Sequence, residues 1–118
     1  MSLASKAFLI GNEIPQEDAD QGIKRQLFGY GDTILMARVT FEEGAVGTVH
    51  AHEHAQATYV ESGEFDVFVD GVEKRLGAGD GFYVQPNLDH GAVCRKPGVL
   101  IDVFSPARLD FLEETPAT

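Results

Sequence analysis

Three of the chain's four histidines, His50, His52 and His54, fall at every second position, and the fourth is His90. In a strand, residues two apart share a face. His50 and His52 can therefore enter one cavity, with Gln56 close behind. Imidazole nitrogens bind borderline divalent metals well, and an amide oxygen can complete such a site more weakly than a carboxylate. Three histidines and a glutamine make a neutral ligand set. That leaves a divalent ion its full charge, with open positions for water or a chelating substrate. The plainer alternative is a surface turn carrying solvated histidines.

Positioning these groups needs strands, and strand signals recur at short spacing between glycine-bearing turns. Residues 11 to 22 read as an irregular or edge segment. Lys24 to Tyr30, Thr33 to Phe41 and Val46 to His50 are candidate strands. Gln56 to Glu61 follows the histidines, and Gly63 is expected to turn the chain into Glu64 to Val69. Asp70-Gly71 is a two-residue hairpin signal, because glycine takes positive φ easily, and Val72 to Leu76 returns. Gly81 to Val84, Gly91 to Arg95 and Val99 to Phe104 complete an all-β set that suggests an antiparallel sandwich or barrel. Ser105-Pro106 predicts a helix start, with serine as cap and proline in the first turn. A short helix is expected over Ala107 to Glu114, with fraying over Thr115 to Thr118.

The last strand carries further chemistry. Leu100, Asp102 and Phe104 share one face, while Ile101 and Val103 share the other. A carboxylate buried there could act as general acid or base, or Asp102 could cap a turn or pair with a cation. Phe104 could form an apolar floor against a sugar ring or be plain core. Arg108 could grip a carboxylate bidentately, helped by backbone N–H groups at the helix start, or be an exposed helix charge. Arg38 interrupts the apolar run TILMARVTF and could either enter the cavity or snorkel outward. Tyr83 could line the barrel or be a structural aromatic. Glu53 reads as solvated, and Cys94 as a small buried thiol.

The chain has 118 residues, enough for one core without staples. Nine Lys and Arg against nineteen Asp and Glu give a net charge of −10. Bulk charge of that sign argues against nucleic acid and against an anionic membrane as partners. One cysteine excludes an intrachain disulfide and fits a reducing compartment. The apolar run Ala7 to Ile10 is shorter than a signal-peptide core of about 7–15 residues. No run approaches the roughly 20 apolar residues of a membrane span, so a cytoplasmic location is expected. No phosphate-binding loop or serine nucleophile elbow is present.

The run GAVGTVHAHEHAQATYVESG (residues 44–63) resembles the first motif of the cupin superfamily, with Gln56 in the usual glutamate position. GDGFYVQPNLDH (79–90) is similar to the second motif, with Gln85 and Asn87 departing from it and Cys94 standing where Asn is common. The resemblance implies a single small jelly-roll-like cupin barrel. It would have an N-terminal arm over about 1–22, a barrel over about 23–104 and a short helix over about 105–114. It also implies one divalent metal held by His50, His52, Gln56 and His90. Zinc or nickel would suit this ligand set, and iron or manganese could occupy it. His54 is left as a neighbour of the site or a residue facing the turn.

A narrower resemblance, to the KdgF-type uronate-metabolising cupins, covers nearly the whole chain from about Gly29. Its most specific part is DVFSPARLDF (102–111). It implies conversion of 4,5-unsaturated monouronates from pectin or alginate to linear 4-deoxy-5-keto uronates. Asp102 would be the acid/base, with Phe104 and Arg108 contacting substrate and Arg38 as a second candidate for anion contact. The expected partner is a small anionic sugar, and a homodimer is expected. Two alternatives use the same ligands: a cupin dioxygenase, and a non-catalytic sugar-binding cupin with a structural metal.

Overall fold

Alternating apolar residues and left-handed turn positions make this chain a set of strands. The computed structural model describes residues 3–113. Eight strands run in order: β1 (Glu17–Asp20), β2 (Ile23–Tyr30), β3 (Leu35–Phe41), β4 (Val46–His50), β5 (Ala55–Val69), β6 (Val72–Gly77), β7 (Gly81–Val84) and β8 (His90–Ser105). A 3-10 turn (Gly11–Glu13) precedes them and a helix of five residues, α1 (Leu109–Glu113), follows. All pairings are antiparallel, in the order β1-β2-β3-β8-β5-β6, with β4 also on β8 and β7 also on β5. The expected all-β barrel with a short C-terminal helix is what the chain forms. Among the described residues, no helix is long and apolar enough to cross a membrane.

The two long strands correct the sequence reading. Residues 56–61 and 64–69 form one strand, and so do 91–95 and 99–104. The first half of β5 pairs with the second half of β8, and the second half of β5 with the first half of β8. Register shifts fall between Val60 and Phe65, around Gly63. Gly63 therefore bends a continuous strand rather than ending it. It has φ 84°, and a Cβ there would lie 2.6 Å from the Gly98 Cα. By contrast Asp70 (φ 47°) and Gly71 (φ 83°) form the expected two-residue turn between β5 and β6.

The N-terminal arm also differs in part, because Glu17–Asp20 pairs with β2 as an edge strand. The C-terminal helix starts later than expected. Ser105 ends β8, its peptide bond to Pro106 is cis, and its hydroxyl donates to the Thr33 carbonyl at 2.9 Å instead of capping a helix. Helix α1 begins at Leu109, so no helix N-terminus lies at Ser105-Pro106. The expected fraying of 115–118, and Glu114, lie outside the described residues.

The core lies between the two halves of the bent sheet. Leu35, Val60, Phe65, Val84 and Cys94 are fully buried, and Phe41 meets Phe65 edge to face at 5.2 Å. Cys94 is a core thiol, its Sγ donating to the Lys96 carbonyl at 3.0 Å. Burial pushes its pKa up. Outside, Asp66 on β5 accepts hydrogen bonds from Arg75 on β6 (2.8 Å) and Arg95 on β8 (2.5 Å). These bonds hold its carboxyl at about 2.

A methyl at Gly98 would overlap the Ser62 carbonyl and the Gly63 Cα, so Gly98→Ala should cost about 1–3 kcal/mol in urea unfolding. The folded pKa of Asp66 lies below its unfolded value of about 3.9. Its stabilising contribution is therefore full above pH ~4 and is lost as pH falls through ~2. Asp66→Asn should lower the denaturation midpoint at pH 7 and flatten the fall in stability between those values.

Candidate metal centre and substrate cavity

The inward faces of adjacent strands align in rows. Leu27, Ala37, Asp102, Thr58 and Phe82 stand opposite one another across β2, β3, β8, β5 and β7. The next row holds Leu35, Phe104, Gln56 and Val84. Directly opposed side chains on paired strands share a face. The pairing thus places Asp102 beside Thr58, and Gln56 one step along. His50 at the end of β4 pairs with His90 at the start of β8. His52 follows in the loop to β5.

A ring nitrogen from each of His50, His52 and His90 lies within 4.8 Å of the others. The ring centroids are 4.5 Å apart for His50 and His90, 4.7 Å for His52 and His90, and 5.3 Å for His50 and His52. Each Nδ1 meets a backbone carbonyl: His50 at Thr48 (2.8 Å), His52 at His54 (2.9 Å) and His90 at Leu88 (3.0 Å). A carbonyl only accepts, so each Nδ1 holds the proton and each Nε2 keeps its lone pair. Burial, with help from Arg108 and His90, holds His52 at a pKa of about 4. Burial likewise lowers that of His90. Both rings are therefore neutral, the form that binds metal.

Two observations show that a cation fits here. Among the described residues, His90 Nε2 is buried with no hydrogen-bond partner. His52 Nε2 faces Gln56 Oε1 at 3.1 Å, and a neutral His52 has one proton for two facing oxygens. With that proton on Nδ1, two acceptors confront each other. A cation between such groups satisfies both. His50, His52, Gln56 and His90 would hold it. His54 lies outside this cluster, its ring 5.5 Å from that of His52, and its carbonyl orients His52.

Beside the cluster lies a cavity of about 300 Å³ lined by His50, Gln56 and His90 and also by Asp102, Phe104 and Arg108. Burial pushes the Asp102 carboxyl up to about 6, against the opposing pull of the Thr58 hydrogen bond and the Arg108 charge. Phe104 is buried and packs edge to face on His52 (5.7 Å) and Phe111 (5.5 Å). Arg108 is not an exposed helix charge, for its side chain is 12 % exposed and lies over Phe111 at 4.2 Å. Its guanidinium grips Asp110 with two hydrogen bonds, at 2.9 and 2.7 Å. That leaves three N–H donors for another acceptor.

Other candidates lie elsewhere. Arg38 is on the outer face of β3, because Leu35, Ala37 and Val39 take the inward positions. It reaches Gln26 and Glu61 and does not line the cavity. Tyr83 points outward, 59 % exposed, while its neighbour Phe82 lines the cavity. Glu53 is exposed and lines a separate depression beside His52, His54 and Arg108. Sequence reading missed Thr58, Phe111 and Arg25. Thr58 shares strand parity with Gln56, and Arg25 sits between Ile23 and Leu27 on the inward parity of β2. Arg25 lines the cavity, with its guanidinium 3.8 Å over the Phe111 ring.

Residues 37–104 match the cupin domain model. The chain belongs to the cupin family. Within that family it is similar to the pectin degradation protein KdgF of Dickeya dadantii, at 41% identity over 109 residues, which is 91% of this chain and 99% of that one. Its fold is similar to an RmlC-like cupin from Shewanella frigidimarina (TM-score 0.90, 51% identity, 92% of this chain and 97% of that one). It is also similar to KdgF from a Halomonas species (TM-score 0.86, 38% identity, 91% and 99%).

Removing one imidazole leaves at most two of the three nitrogens. Titration with zinc should show His52→Ala and His90→Ala binding at least about 10-fold more weakly than wild type. Unchanged affinity in either would remove that residue from the ligand set.

Proposed function

We propose that this chain converts 4,5-unsaturated monouronates to linear 4-deoxy-5-keto uronates, using a divalent metal. The observation that carries this reading is the convergence of Asp102, Phe104 and Arg108 on the cavity that His50, Gln56 and His90 also line. Similarity to a protein named for pectin degradation supports a uronate as the substrate class.

A bound cation would supply Lewis-acid stabilisation of negative charge on substrate oxygen. The chain's own groups do the rest. The free N–H donors of Arg108 bind the uronate carboxylate, and Phe104 offers an apolar surface to the ring. The Asp102 carboxylate takes the proton from the anomeric hydroxyl. The bond from the anomeric carbon to the ring oxygen then breaks with its electron pair going to that oxygen, leaving an aldehyde at one end and an enolate oxygen at the other. Asp102 returns the proton to C4 as that enolate becomes a ketone. The net change is an isomerisation, with one proton moved from oxygen to carbon. This is general acid–base work of the kind a single positioned carboxylate performs.

Metal-loaded protein should accelerate loss of the alkene absorbance of a 4,5-unsaturated monouronate above its spontaneous rate. A rate equal to the spontaneous one overturns the proposal. Asp102→Asn, whose amide oxygen can still accept from Thr58, should keep metal and lose about 10²–10⁴-fold in kcat. Substrate-dependent oxygen uptake by iron-loaded protein would point instead to dioxygen chemistry.

A further inference from the structure

Besides its lack of charge, a glutamine differs from a glutamate as a metal ligand in having a right and a wrong end. A carboxylate can present either oxygen, whereas an amide must turn its oxygen, and not its NH2, toward the cation. Something in this chain has to make that choice for Gln56, which is buried.

The choice is made by a two-bond relay. Gln56 Nε2 donates to Thr58 Oγ1 at 2.9 Å, and the Thr58 hydroxyl donates to Asp102 Oδ1 at 2.6 Å. A weaker contact of 3.4 Å runs from Gln56 Nε2 to the same Asp102 oxygen. A carboxylate only accepts, so the single proton of Thr58 goes to Asp102. The Thr58 oxygen is then left as an acceptor, and only the NH2 end of Gln56 can satisfy it. The opposite end, Oε1, is thereby aimed at the histidine cluster, 3.1 Å from His52 Nε2. Reversing the amide would set its oxygen against the Asp102 carboxylate. It would also turn the NH2 onto the lone pair of His52, blocking both ligands at once.

We propose that Thr58 is the positioning residue that turns the Gln56 carbonyl oxygen toward the metal, reading its direction from the Asp102 carboxylate. This rests on the metal reading above, and it links the metal ligands to the acid/base through one hydroxyl. Thr58 touches neither metal nor substrate in this role. Its cross-strand pairing with Asp102 and its position two residues beyond Gln56 are what let one side chain serve both.

The test uses cobalt(II), whose visible spectrum reports its ligands. Thr58→Val keeps shape and removes the hydroxyl. It should bind cobalt about 10–100-fold more weakly than wild type, with an altered visible spectrum, and Thr58→Ser should restore both. Wild-type protein that takes up no cobalt overturns the metal reading and this proposal together. Wild type that binds cobalt, with Thr58→Val equal to it in affinity and spectrum, overturns the role of Thr58 alone. A measurement on wild type guards against a variant that fails to fold. In the zinc-loaded protein the Gln56 side-chain NH2 should show a nuclear Overhauser contact to the Thr58 side chain. Its absence overturns the proposal.

Discussion

The pairing of β5 with β8 is the constraint on which the rest depends. These strands bring Gln56 and Thr58 opposite Phe104 and Asp102, across 44 to 48 residues of chain. Both strands then bend together where Gly63 meets Gly98 and continue as partners in the second half of the sheet. The bend is what gives one pair of strands two faces around a single cavity. Without it, the His90 end of β8 and the Asp102 end would lie along one straight ladder. Close approach of two backbones allows the bend, and side chains on either glycine would prevent it.

The cavity is chemically distinct from the outer surface. The chain carries a net charge of −10, yet Arg25 and Arg108 both line the cavity, stacked on Phe111. Neutral imidazoles add no negative charge, and the Asp102 carboxyl is the one whose burial most disfavours ionisation. An acidic exterior therefore coexists with an interior suited to a small anion. The global field repels a polyanion over its whole length. A single small anion in the cavity would meet mainly local charges, because screening limits the reach of the surface ones.

The helix α1 contributes by closing one side of this interior. Phe111 packs edge to face on Phe104 and lies against both arginines. Arg108 in turn spends two donors on Asp110, which keeps a buried cation paired when nothing else is bound. These contacts couple the C-terminal segment to the cavity wall through a helix of which five residues are described.

The histidine spacing, the strand rhythm, the Asp70-Gly71 turn and the inward parity of Asp102 and Phe104 were legible in the chain itself. Each is a local property: period two, turn chemistry, and ligand type at fixed offsets. Where the chain would break was less legible. A glycine at φ 84° reads the same whether it ends a strand or bends one, and only the partner strand decides. Arg38 shows the same limit, since an arginine in an apolar run has two faces to choose from and the pairing of β3 chose the outer one. Thr58 and Arg25 carried no motif, because their importance lies in what stands across from them. Sequence alone determined which side chains were available for chemistry: three histidines and a glutamine at ligand spacing, one inward carboxyl and one or more cations. Tertiary structure alone decided which of these groups meet, because hydrogen-bond direction and cross-strand register exist only once the two long strands are paired.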